Sequence, residues 1–200
     1  MGLAAAYSTV FAPELFVLEA TVLLVAYEWR TRDWSGRALA ARLVPVLAGL
    51  ALALAVYAGG PSVLAGAPGG DDFYASVGLI LGFGVIWAAW TRQRVASAGP
   101  AYCLLLVAVS VVHAVVVPFW NVSSHVLYAT VPVGYLAAVD RRFAVLFVLP
   151  GAMVWSRAAT GAHTGPEAVA GFALGVALVA AALAVRRNRA TATRYSGESQ

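Results

Sequence analysis

The chain alternates long apolar runs with short polar breaks. Apolar stretches at about 11–29, 40–58, 73–90, 101–119, 126–139, 143–157 and 166–185 are each closed by charge or by Gly/Pro punctuation. Runs of about 20 residues predict helices long enough for a hydrocarbon core about 30 Å thick. The fifth and sixth are short for that distance and predict a closely joined hairpin around Asp140-Arg141-Arg142. The pattern therefore predicts an all-α membrane bundle of seven spans. It forms one transmembrane domain over 1–185, followed by a polar basic tail at 186–200, and no internal repeat interrupts it.

Composition agrees. Of the 200 residues 62% are apolar or aromatic and 11% are charged, against about 25% charged in a soluble domain. The mean hydropathy is +0.82. A water-soluble globule is excluded, and the loops leave no room for a soluble domain of ordinary size. The single cysteine, Cys103, excludes an internal disulfide and any multi-cysteine metal or redox motif. All thirteen cations are arginine, which excludes a retinal Schiff base and lysine-based catalysis.

Arginine placement predicts the orientation. Arg30, Arg32, Arg37 and Arg42 follow the first run, Arg92 and Arg94 the third, Arg141 and Arg142 the fifth, and Arg186, Arg187, Arg189 and Arg194 the seventh. All twelve fall on one side, which becomes cytoplasmic by the positive-inside rule. Only Arg157 falls on the other side. The N-terminus is then outside, the C-terminus inside and the number of spans odd, as expected of a multi-pass cell-membrane protein. The first run does not read as a cleavable signal, because no basic segment precedes it and Glu14 and Glu19 interrupt it.

The outer side gathers the chemistry. His125 opens the fifth run, His163 lies before the seventh, His113 lies in the outer half of the fourth, and Arg157 ends the sixth. Asn121-Val122-Ser123-Ser124-His125 offers capping side chains to a helix start, and Thr164-Gly165-Pro166-Glu167 places a proline where a first helical turn accepts it. Two helix N-termini then face one aqueous mouth, and their free amides and positive dipole ends attract phosphate. Arg157 would add planar donors. One imidazole can attack phosphorus while a second protonates the leaving oxygen. Glu167, four residues after His163, is the expected carboxylate holder of its other ring nitrogen. Each of these residues alone has an ordinary explanation, such as an interfacial or capping histidine, a helix-end arginine or a first-turn acid. Their gathering on one side carries the reading.

Ser156-Arg157, five residues, His163, three residues and Glu167 resembles the last signature of the type 2 phosphatidic acid phosphatases, in which an aspartate stands where this chain has Glu167. The likeness continues through Ala170-Gly171 and Leu174-Gly175. Ser123-Ser124-His125 resembles the central Pro-Ser-Gly-His signature, with Val122 for proline and Ser124 for glycine. The similarity covers about 120–180. It implies a six-helix membrane core, here with an extra helix expected at the N-terminal end, and soluble relatives among the vanadium haloperoxidases. It implies His163 as nucleophile, His125 as general acid, Arg157 as the phosphate binder, and Ser123 and Ser124 as further phosphate contacts. The family's first signature, a lysine, six residues and Arg-Pro, is not kept. Ser110 and Val117 precede Pro118 where its cations would stand, and the similar spacing from Arg92 to Gly99-Pro100 lies across the membrane.

The implied activity is hydrolysis or transfer of a lipid phosphate at the outer face through a phosphohistidine. The expected partners are that substrate and membrane lipids, without nucleic acid, and no cofactor or metal is called for. Glu19 and His113, at similar depths, read as accessory candidates, with pairing across the bundle as one expectation. Asp71 and Asp72 read as loop acids, with divalent-cation binding as the alternative. The six tryptophans, near run ends, read as an aromatic belt. The competing function is a catalytically weak or inactive phosphatase-fold protein that binds lipid phosphate, favoured by the missing basic pair. A transporter would need a polar path, and the inner halves of the spans offer almost no polar lining.

Overall fold

The computed structural model describes residues 2–63, 70–93 and 97–197, with side chains as far as Asn188. Arg94 lies outside the described residues, as do the side chains of Arg189 and Arg194. The chain forms α1 (Leu3–Val10), α2 (Pro13–Thr31), α3 (Gly36–Val63), α4 (Gly70–Arg92), α5 (Gly99–Val116), α6 (Ser124–Val139), α7 (Val148–Ala159) and α8 (Gly165–Gly197). A 3-10 stretch, Arg141–Phe147, leads into α7, and the described residues contain no strand.

Five segments are long and apolar enough to cross a membrane: α3, α4, α5, the 3-10 stretch with α7, and α8 to Asn188. A sixth is added if α1 and α2, bent by 54°, count as one crossing. The expected seven are not reached by length, because α6 has 16 residues and spans only about 24 Å at 1.5 Å per residue. The reason is its place. Almost every side chain from Val126 to Leu136 is buried, so α6 is apolar all round because protein surrounds it. The hairpin expected at 140–142 is present. Asp140 Oδ1 accepts from the Arg142 amide at 2.9 Å, and Oδ2 accepts from Tyr27 Oη at 3.2 Å.

Two elements differ from expectation. The hydrophobic pattern did not separate α1, which packs on α7. Tyr7 Oη donates to the Leu149 carbonyl at 2.8 Å, and Ser8 and Ser156 hydroxyls meet at 2.6 Å. Pro13 at the first turn of α2 suits the bend, since it starts a helix without needing its missing amide. The second is α8, which continues helical through the start of the polar basic segment to Gly197. Arg186 reaches back to donate to Tyr135 Oη at 3.1 Å.

Small residues set the helix spacing. Gly49 and Ala53 of α3 face Gly78 and Gly82 of α4, a small-x-x-x-small stripe on each helix. A Cβ on Gly82 would stand 2.5 Å from the Gly49 carbonyl oxygen. On α8, Gly175 faces Thr130 and Gly171 faces the Ser123 carbonyl, where an added Cβ would come to 2.7 Å. That contact brings α8 against the turn that starts α6.

The arginine-rich end of the bundle is tied by buried polar groups. Glu28 accepts from the Ala98 amide at 2.7 Å and from Ser97 Oγ, which caps the start of α5. The Arg42 guanidinium lies over the Trp34 and Trp90 rings, and Trp90 Nε1 donates to the Arg42 carbonyl at 3.1 Å. Trp90 is therefore a core residue at 1% exposure, not part of a belt, whereas Trp29, Trp87, Trp120 and Trp155 are exposed.

Candidate active site

Two irregular turns meet at the end of the bundle opposite the arginine-rich one. The first, 117–123, joins α5 to α6. The second, 160–164, joins α7 to α8 and turns through Gly161 at φ 69°, a left-handed position after a helix end that favours glycine. The Ser123 amide donates to the Glu167 carbonyl at 3.4 Å, joining the turns.

His163 lies in the second turn, 9% exposed. Its amide donates to the Arg157 carbonyl at 3.3 Å. Its Nδ1 stands 3.1 Å from the Asn121 carbonyl oxygen. A carbonyl only accepts, so this contact puts the ring proton on Nδ1 and leaves Nε2 with its lone pair. Glu167 was expected to hold Nδ1. Its Oε2 is 3.8 Å away, outside hydrogen-bond range. It instead accepts from the Thr164 amide at 2.8 Å, while the Glu167 amide donates to Thr164 Oγ1 at 3.4 Å. This reciprocal pair is a capping box at the start of α8. Glu167 stays close enough to act on the ring by charge alone. Burial and the Arg157 guanidinium hold the His163 pKa below its ordinary 6.5, against the smaller upward pull of the Asn121 carbonyl and Glu167.

His125, Arg157 and His163 are brought within electrostatic reach of one another. Ser123 stands at the N-cap of α6, but its Oγ makes no capping bond, so the capping expected of that side chain is not found. Ser123 Oγ, His125 Nδ1 and Arg157 Nε are each buried without a hydrogen-bond partner. Ser124 opens α6 beside them, and the first amides of that helix have no intrahelical acceptor. Buried polar groups rarely go unpaired. Each of the three atoms can donate, and a tetrahedral oxyanion presents enough acceptors to satisfy them all.

The accessory residues separate. His113 is fully buried, with Nδ1 2.9 Å from Ser76 Oγ and Nε2 3.4 Å from the Val122 carbonyl oxygen. Glu19 is exposed on α2 and is not a partner of His113, so the suggested pairing is absent. Ser110 is also fully buried and accepts from Tyr128 Oη at 3.0 Å. A cation placed there would enter the core rather than the mouth. Arg92 binds the Ala88 carbonyl of its own helix at the far end of α4.

Sequence reasoning missed the Asn121 carbonyl and the reach of Asp72. No side chain advertises a backbone acceptor. Asp72 acts electrostatically on His125, Arg157 and His163; the sequence reads it as a loop acid with divalent-cation binding as the alternative, and it stands instead in the first turn of α4. Asp72 also borders a cleft of about 200 Å³ that runs from His125 and Ser124 past Tyr128 to apolar side chains including Leu50, Leu54 and Leu79. Asp71 and Glu14 stand on the same cleft. Among the described residues no group of three or more His, Cys, Asp or Glu side chains is placed to hold a metal ion.

No known family profile, curated protein or solved structure matches this chain.

Proposed function

We propose that this membrane protein is a lipid phosphate phosphatase or phosphotransferase working through a phosphohistidine, akin to the type 2 phosphatidic acid phosphatases. The observation that carries the reading is the set of unpartnered buried atoms Ser123 Oγ, His125 Nδ1 and Arg157 Nε, with His125 and Arg157 in electrostatic reach of His163, an imidazole whose Nε2 is left free. Phosphate oxygens accept from these donors. His163 Nε2 attacks phosphorus, the ester P–O bond breaks, and the leaving oxygen takes its proton from His125. Water, or a second alcohol, then takes the phosphoryl group from His163, and His125 accepts the proton released. The apolar wall of the cleft beside His125 suits a lipid chain.

In this reading α6 is a seventh, protein-surrounded span, and the histidine end faces outward. A reporter fused after Gln200 is expected in the cytoplasm and one before Met1 outside. The reverse result, or both reporters on one side, would overturn that orientation.

The test of function is phosphate release by purified protein from a panel of polyprenyl and glycerol lipid phosphates. Release that requires an intact His163 supports the reading, and no release from any member sinks it. Binding without turnover is the second reading. It is favoured by Asp72, whose carboxylate faces a site that already lacks the family's first basic pair. The same carboxylate predicts poor use of dianionic monoesters relative to singly charged diesters.

A further inference from the structure

The cleft beside His125 is strongly acidic on one side. Glu14 of α2, Tyr57 of α3 and Asp71 and Asp72 of α4 line it together with Ser124 and His125 of α6. All three acids act electrostatically on Tyr57, so they gather about one side chain of the cleft wall. Asp72 also acts on His125 and Arg157, so the acidic group adjoins the oxyanion site.

Each acid lies in the first turn of its helix, where the dipole favours negative charge. The dipole accounts for the residue type. It does not account for three carboxylates on one cleft, since an acid facing open water serves the dipole as well. Among the described residues no hydrogen bond or ion pair engages any of the three carboxylates. Arg157, the arginine of this end, has its own task at the oxyanion site. The cleft therefore presents negative charge that the chain does not neutralise.

An independent feature of the same cleft calls for a polar ligand. Ser124 is only 7% exposed and lines the cleft, yet its hydroxyl has no hydrogen-bond partner. Buried polar groups rarely stay unpaired. The acids and histidines are not grouped closely enough, among the described residues, to hold a metal ion. Carboxylates set apart around an aromatic side chain suit a larger cation of spread charge, an organic ammonium.

We propose that this cleft is the headgroup site for a phosphodiester lipid whose headgroup carries an ammonium. The phosphate lies by Ser124, His125 and Arg157, and the ammonium lies among Glu14, Asp71, Asp72 and Tyr57. The position of the phosphate rests on the proposed function; the ammonium subsite does not. Such a headgroup brings one charge of each sign, matching the two sides of the cleft, and its chains follow the apolar wall.

The test is binding to the full chain in maltoside micelles, read by titration calorimetry at fixed ionic strength. The probes are decyl phosphocholine and decyl methyl phosphate, which shares the chain and the singly charged diester but lacks the cation. Partition into the micelle is common to all variants and cancels between them. The wild type is expected to bind the phosphocholine roughly tenfold more tightly or better, the scale of a cation held by a ring and carboxylates. Asp71→Asn with Asp72→Asn keeps the side-chain shapes and should abolish the preference. Tyr57→Leu should reduce it. Glu14→Gln should also reduce it, and decides the matter if the double variant does not fold. Equal affinity of the wild type for the two probes, or an unchanged preference in the folded variants, would overturn the proposal. A wild type that prefers the phosphocholine, yet releases no phosphate from any lipid, would support the subsite and defeat the phosphatase reading.

Discussion

Replacing His163 by alanine is expected to lower phosphate release by roughly 10⁴-fold or more, the scale of losing a nucleophile. It should also remove any acid-labile phosphoprotein formed during turnover. The expectation follows from where the ring is held. The Asn121 carbonyl takes Nδ1, so the only lone pair left on the imidazole is that of Nε2. Burial and Arg157 keep the His163 pKa below 6.5. The imidazole is therefore neutral and nucleophilic at pH 7. Activity is expected to fall on the acid side, with its midpoint below pH 6.5 as the ring takes a proton. The sign for stability is the same. The unfolded chain binds that proton more readily than the folded one, so the contribution of His163 is present above pH 6.5 and lost as pH falls below it. Equal phosphate release from wild type and His163→Ala would show that another group attacks and would put the binding reading first. His125→Ala gives a different signature. It should slow poor leaving groups by roughly 10²–10⁴-fold and spare activated esters, whose oxygen leaves without a proton.

The second large effect is expected from Arg157→Lys. Arg157 Nε is buried and unpartnered, so the guanidinium has an Nε–H donor to give to a bound oxyanion alongside its terminal N–H groups. Lysine keeps the charge and loses the fork. A loss of about 10²–10³-fold in kcat is expected, as for removal of one oriented donor to a transition-state oxyanion. The control is Arg92→Ala, at the far end of α4, where turnover should be unchanged. A lysine variant as active as the wild type would show that charge alone suffices there and that the fork has no role.

The gathering of His125, Arg157 and His163 was legible because helical hairpins impose it. Once the hydrophobic runs are placed, alternate breaks must share a side, and residues in those breaks share an end of the bundle. The role of Glu167 was not legible. Thr164-Gly165-Pro166-Glu167 fits both a histidine holder and a capping box, and the two differ by about an ångström of side-chain reach. The distance of 3.8 Å to Nδ1, against 2.8 Å to the Thr164 amide, decides for the cap. Glu19 and His113 sit at similar depth along the chain, yet depth says nothing of azimuth. One side chain faces outward from α2 and the other is sealed between α4 and α6.

By itself the sequence determined that the chain is helical, that it is a membrane protein, and which charged and titratable groups share an end. Those follow from the length of apolar runs and from the cost of burying charge in hydrocarbon, both of which are one-dimensional properties. Tertiary structure alone decided that the short α6 is enclosed by its neighbours, that α1 turns back onto α7, and that a carbonyl at Asn121, not a carboxylate at Glu167, sets the tautomer of His163. Those depend on which faces meet, on glycines such as Gly171 that let α8 approach the Ser123 turn, and on the direction of individual peptide groups. Backbone carbonyls are the same at every position of a sequence, so only the folded chain tells which of them reaches a ring.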